Sequence, residues 1–259
     1  MFIEACGARV YYEQSGHAGP NVLLLHGWGC NVSLYKSIVD RLSPHCRVTA
    51  LDFPGHGQSS RPPEPWDAAA FARMTAEFIE KLGINGCHII GHSHGGRTAL
   101  RLAIDRPELV GRLALTGAAG LRGKPTANRR ASARLYKILR GTLDIMDKLH
   151  IFGGLPERAR EKLRTTFGSA DYKALDAEMR RTFVKLVNTD LTPELPNVRV
   201  STLLLWGDKD TETPLWMGEL MAERIPDAGL VILEGGGHFV YAEQPEKFCR
   251  ITLQFLTNA

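Results

Sequence analysis

No run of about eighteen apolar residues occurs in the chain, so no segment reads as a membrane-spanning helix. The opening stretch MFIEACGARVYYEQSG lacks the basic start, apolar block and small-residue cleavage site of a secretory leader, and is expected to belong to the folded protein. Cysteine is sparse. Cys6, Cys30, Cys46, Cys87 and Cys249 are odd in number, widely spread and contain no CxxC pair. Neither a disulfide framework nor a zinc site is expected, and reduced thiols of a cytoplasmic protein are. Charge of one sign is also missing: 32 Lys+Arg against 28 Asp+Glu leaves +4, with no basic run interleaved with aromatics. No nucleic-acid partner is expected. Repeats, low-complexity tracts, nucleotide motifs and metal-ligand clusters are absent from the pattern, so no cofactor and no metal are expected. With 44% hydrophobic residues, global disorder is excluded.

What is present is a series of short apolar runs. Val22–Leu25, Arg47–Leu51, Cys87–Ile90, Leu113–Thr116, Thr202–Trp206 and Leu230–Leu233 have strand length and barely alternate. Both faces must then be buried, as in parallel strands covered by helices. The opening segment alternates around Gly7 and predicts a hairpin at the sheet edge. Helical spacing fills the gaps: Asp67 to Leu82, capped by Asp67 and stopped by Gly83, then Gly95 to Ile104, Leu215 to Ile225 and Glu246 to Leu256. The fold class is α/β, with a mainly parallel eight-stranded sheet flanked by helices.

One region breaks the alternation. Residues 121–195 hold no strand-like run and read as helices over Asn128–Lys148, Pro156–Thr166 and Asp171–Val187, dense in Arg129, Arg130 and Arg134. The expected organisation is a core of residues 1–120 and 196–259, with 121–195 as an all-helical cap over the strand ends. Gly153-Gly154 is its expected bend, and Leu149, Phe152 and Phe167 are its expected inward positions.

Ser93 is the candidate nucleophile. It lies in Gly91-His92-Ser93-His94-Gly95, directly after a strand and before a helix. A serine on such a turn is strained, and glycines two positions either side relieve the crowding. Its hydroxyl needs a base. His238, in the flexible Gly235-Gly236-Gly237-His238-Phe239 after the last strand, is placed at the same sheet end. His26 is expected to shape a loop, and His92 and His94 to turn away from the hydroxyl. An acid must orient the base. Asp208 and Asp210 both follow a strand end, and spacing alone does not choose between them, while Asp52 is expected to stabilise a turn. Two backbone N–H groups must hold the developing oxyanion, and Trp28 and His94 are the candidates.

Together these segments resemble the α/β-hydrolase fold family, in its serine-nucleophile branch with a helical cap. His26-Gly27-Trp28-Gly29 resembles the oxyanion loop, and Asp52-Phe53-Pro54-Gly55-His56-Gly57-Gln58-Ser59 the next strand-end turn. Gly91-His92-Ser93-His94-Gly95-Gly96 is similar to the nucleophile elbow, and Gly237-His238-Phe239 to the histidine loop. In Trp206-Gly207-Asp208-Lys209-Asp210, the resemblance selects Asp210, three residues after the glycine. A serine at the elbow argues against the epoxide hydrolases and haloalkane dehalogenases, which use aspartate. The resemblance implies a Ser93–His238–Asp210 triad cleaving a carboxylic ester or related small acyl substrate through an acyl enzyme. Carbon–carbon bond hydrolysis of a vinylogous diketone and a non-catalytic ligand receptor are the alternatives. No pattern sets the oligomeric state.

Overall fold

The computed structural model describes residues 1–122 and 175–257. By its contacts the chain forms two compact units, Met1–Arg122 with Val184–Ala259, and Gly123–Phe183. The first holds an eight-stranded sheet: β1 (Phe2–Ala5), β2 (Ala8–Ser15), β3 (Asn21–Leu25), β4 (Arg47–Leu51), β5 (Cys87–His92), β6 (Val110–Thr116), β7 (Thr202–Gly207) and β8 (Ala228–Leu233). Their spatial order is β1-β2-β4-β3-β5-β6-β7-β8. The β1–β2 hairpin joins β4 antiparallel, and every pair from β4 to β8 is parallel. The hairpin turns on Cys6 and Gly7, whose φ values of 48° and 74° suit a tight two-residue connection. Cys6 holds this strained backbone with its N–H on Glu77 Oε2 at 2.9 Å. All five cysteines are described, and none forms a disulfide.

The non-alternating strands are buried on both faces, and successive residues feed two separate cores. Leu23, Leu25, Ile89, Leu113, Leu115, Leu204 and Trp206 enter one cluster. Val22, Leu24, Ile90, Ala114, Leu203 and Leu205 enter the other. This is the period-two geometry of a strand expressed with apolar residues at every position. Helices α2 (Ala68–Leu82), α3 (His94–Asp105) and α5 (Trp216–Arg224) cover the first face. Helices α1 (Lys36–Leu42) and α7 (Pro245–Thr257) cover the second. Helix α2 starts where Asp67 accepts the Ala70 N–H at 2.9 Å and stops at Gly83, in the left-handed region. The short α6 (Val240–Glu243) precedes α7, and α4 (Ala177–Val187) precedes the return to β7.

Two sequence expectations need correction. The strand β8 is not buried on both faces: Ile232 is 42% exposed, because β8 is the sheet edge and covers nothing beyond itself. Helix α1 was not expected, since its seven residues are too few for a periodic signal to stand out. Of the cap, Asn128–Lys148, Pro156–Thr166, the arginines Arg129, Arg130 and Arg134, Gly153-Gly154 and Leu149, Phe152 and Phe167 lie outside the described residues. On the core side, the chain's departure and return are tied together. The Leu191 N–H donates to the Gly120 carbonyl at 2.8 Å, and the Arg122 N–H to Asp190 Oδ1 at 3.4 Å.

Asp52 ends β4 by serving two loops at once. Oδ1 accepts from the Val32 N–H at 2.7 Å and Oδ2 from the Gln58 N–H at 2.8 Å. Gly57, at φ 51°, leaves no room for a side chain there: a Cβ would sit 1.9 Å from Asp52 Oδ2. Asp52→Ala strands both donors, at about 1–3 kcal/mol each. Chemical denaturation should therefore show a loss of roughly 2–6 kcal/mol. A loss within about 0.5 kcal/mol, the range of an ordinary surface change, would contradict this role.

Candidate active site

Ser93 sits between β5 and α3 with φ 50° and ψ −109°. Among the described residues, only Cys6 shares a positive φ without being glycine. The strain is held by close packing on three sides. A Cβ at Gly91 would lie 2.9 Å from the Gly95 carbonyl oxygen, one at Gly95 would lie 1.9 Å from the Leu25 oxygen, and one at Gly96 would lie 2.5 Å from the Ala118 Cβ. Thus the first turn of α3 lies directly on the end of β3. Backbone bonds complete the seat: the Ser93 N–H donates to Thr116 O at 3.1 Å, and its carbonyl accepts from Ala119 at 3.0 Å and Arg97 at 3.1 Å.

Two strands away, the loops after β7 and β8 bring the candidate acid and the candidate base together. Asp210 Oδ2 lies 2.8 Å from His238 Nδ1. Asp210 Oδ1 accepts the Glu212 and Thr213 N–H groups, both at 2.9 Å. Burial works against the charged carboxylate, yet the hydrogen bonds from His238 and Thr213 outweigh it and hold the carboxyl below its ordinary value. Asp210 thus keeps its charge and accepts a hydrogen bond from His238 Nδ1–H, which leaves Nε2 available as an acceptor. Asp208 does something else: its Oδ1 accepts the Gly235 N–H at 2.6 Å and braces the histidine loop.

Thr213 was missed from the sequence. Its buried hydroxyl lies 2.8 Å from Asp210 Oδ2, 2.9 Å from the Gly117 carbonyl and 3.2 Å from His238 Nδ1. Trp206 fixes this residue from below, its indole N–H donating to the Thr213 carbonyl at 2.7 Å. The only available signal was a hydroxyl residue three positions after the aspartate, which no periodicity marks.

The histidines around Ser93 are structural. His26 Nε2 accepts the Phe53 N–H at 2.9 Å, so Nδ1 carries the proton and donates to the Gly27 carbonyl at 2.7 Å. His92 Nε2 donates to the His238 carbonyl at 3.0 Å, tying the Ser93 turn to the loop after β8. His94 turns into the core against Phe71 and Phe53. The loop after β3 abuts the Ser93 turn, since a Cβ on Gly27 would lie 3.3 Å from Ser93 Cβ. Trp28 follows in that loop, half-buried and edge-on to His56 and His94. The His94 N–H, in the first turn of α3, is among the donors that an α-helix leaves without an intrahelical acceptor. No hydrogen bond joins Ser93 Oγ to His238 among the described residues. Nor is any group of three His, Cys, Asp or Glu side chains placed there to hold a metal ion.

Residues 22–251 match the model described as "Alpha/beta hydrolase family". The chain belongs to that family. Its curated relatives include the 2-hydroxy-6-oxononadienedioate/2-hydroxy-6-oxononatrienedioate hydrolase of a Pseudomonas species, 28% identical over 96% of this chain and 92% of that one. A solved hydrolase from Pseudomonas aeruginosa superposes with a TM-score of 0.76 at 27% identity, covering 100% of this chain and 98% of the other. A thermophilic esterase from Thermogutta terrifontis gives 0.73 at 25% identity, with 100% of both chains covered. As an α/β hydrolase the chain is a hydrolytic enzyme, and no described helix is long and apolar enough to cross a membrane.

The site of this α/β hydrolase rests on neutral imidazoles. Burial pushes His26 down to about 4, His56 to about 3, aided by His26, and His92 to about 3, aided by His238. Their folded values lie below the unfolded one, so between about pH 6.5 and those values the unfolded chain binds more protons. The stability they contribute is present above the unfolded pKa and is lost as pH falls. Unfolding free energy should drop between about pH 6 and 4.5, and His56→Phe should make that slope shallower by up to one proton, about 1.4 kcal/mol per pH unit. An unchanged slope in the folded variant would contradict the neutral assignment.

Proposed function

We propose that this enzyme is a serine hydrolase that cleaves a carboxylic ester through an acyl-enzyme intermediate. The observation carrying the reading is the partly buried Asp210–His238 pair at the strand end, together with a strained serine at the tip of a strand two places away in the same sheet. His238 Nε2 takes the Ser93 hydroxyl proton as Oγ attacks the ester carbonyl carbon. Charge develops on the carbonyl oxygen, and the Trp28 and His94 N–H groups hold it. His238 returns the proton to the departing alkoxide, which leaves as the alcohol. Water then attacks the acyl carbon while His238 takes its proton, and that proton goes back to Ser93 Oγ as the acid departs. Asp210 remains ionised throughout and steadies the imidazolium. Residues 1–120 and 196–259 supply this machinery, and 121–195 acts as the cap that lines the acyl or alcohol pocket and sets substrate choice. Its support is that the chain departs and returns beside the site: Ala119 bonds Ser93, and Leu191 bonds Gly120. A second reading, carbon–carbon bond hydrolysis of a vinylogous diketone, is favoured by the name of the Pseudomonas relative above.

Short-chain 4-nitrophenyl esters and a 2-hydroxy-6-oxodienoate separate the two readings, as turnover of the esters at far higher kcat/KM supports the first. With the better substrate, Ser93→Ala should lower kcat on the order of 10⁴-fold or more. Asp210→Asn should lower it on the order of 10⁴-fold by presenting the wrong histidine tautomer. Asp208→Asn should keep most activity, because an amide oxygen can still accept the Gly235 N–H. If Asp208→Asn were the more damaging of two folded variants, the assignment of the acid would be wrong.

A further inference from the structure

Among the described residues, Arg97 is a cation without a counter-charge. The residue is 9% exposed, and among the described residues its guanidinium makes no ion pair or hydrogen bond; Nε is wholly buried with no partner. Burial pushes it down only to about 10, so it stays charged at neutral pH. Buried charges in proteins are ordinarily paired. The mechanism above gives this one nothing to do.

Its position is informative. Arg97 lies one helical turn after Ser93, and its N–H closes the first turn of α3 on the Ser93 carbonyl. Side chains on a helix lean toward its N-terminus, here the elbow end. The stem packs beneath the loop after β6, where a Cβ on Gly120 would lie 3.5 Å from Arg97 Cγ. That same loop bonds Ser93 through Ala119. The first turn of α3 carries no acidic residue. Its neighbour His94 is held neutral by burial and by Arg97 itself. The positive helix end and this guanidinium therefore add their fields at one place.

We propose that Arg97 anchors a carboxylate carried by the acyl part of the substrate, at a subsite beside Ser93. A guanidinium presents paired N–H donors that match a carboxylate and carries one charge to its one. The preferred substrates are then half-esters of dicarboxylic acids, or equivalent acyl compounds with a free carboxylate, and the substrate itself supplies the missing counter-ion.

This inference rests on the serine hydrolase reading for the word substrate, and binding tests it separately from turnover. Calorimetry would compare succinate, glutarate and adipate with butanoate, pentanoate and hexanoate, each neutral-ended acid being the control for the diacid of the same length. At least one diacid should bind the unaltered chain ten- to hundredfold more tightly than its control, the scale of a charge-assisted contact. Arg97→Gln should erase that preference, and Arg97→Lys should weaken it several-fold; the lysine variant carries the test if the glutamine variant does not fold. No preference in any pair, or a preference unchanged in the folded variants, overturns the proposal. The turnover arm compares mono-4-nitrophenyl adipate with 4-nitrophenyl hexanoate. An Arg97-dependent preference in binding without turnover of either ester would uphold the subsite and sink the ester reading. Equal turnover of both, without Arg97-dependent binding, would do the reverse.

Discussion

The carbonyl oxygen of Leu25 occupies the space that any side chain at position 95 would need. That contact sets how closely α3 approaches the end of β3, and with it the bend that Ser93 must make. A residue at φ 50° persists only where its surroundings over-determine it. Here they do so from three sides, through Leu25, Ala118 and the Thr116 carbonyl. The strain is small beside the apolar burial that drives the two sheet faces together. It places a hydroxyl where no regular strand or helix would put one. The Tyr35 hydroxyl, donating to the same Leu25 carbonyl at 2.9 Å, holds that strand end from the opposite face.

Around this seat, polar groups are fixed rather than free. Every acceptor site that Asp210 uses is aimed at a named donor, and His92 and His26 each have a tautomer set by the partner they meet. In a buried site such hydrogen bonds are stronger than in water, and an unsatisfied one costs more. The same logic makes Arg97 stand out. Among the described residues, the Asp210 and Asp52 carboxylates each meet named donors, whereas the Arg97 guanidinium meets no acceptor, and the proposed substrate carboxylate would supply one.

Much of this was legible in the sequence, for physical reasons. Parallel strands buried on two faces must be apolar at successive positions, so the strands announced themselves at Val22–Leu25 and Thr202–Trp206. Glycines at 91, 95 and 96 are demanded by backbone contacts under 3 Å, so their spacing around Ser93 carried geometric information. Asp208 and Asp210 were not separable by spacing, because both follow the same strand; the resemblance favoured Asp210, and Asp210 is the one paired with His238. Thr213, the His92–His238 link and the isolation of Arg97 were not legible. Each depends on partners brought in from remote positions, and neither composition nor periodicity encodes which remote group arrives. The edge exposure of β8 was hidden likewise, since strand order is a property of the sheet and not of the strand.

In the proposed mechanism Ser93 is a nucleophile made reactive by His238 and Asp210. A fluorophosphonate probe tests it most directly, because the reagent bonds only to an activated hydroxyl and the modified peptide can be mapped. Stoichiometric labelling is expected on the peptide containing Gly91 to Gly95, at Ser93, with labelling slowed strongly in the Asp210→Asn and His238→Ala variants. Labelling at Ser33 or Ser59 with Ser93 untouched, or labelling at Ser93 as fast without His238 as with it, would contradict it.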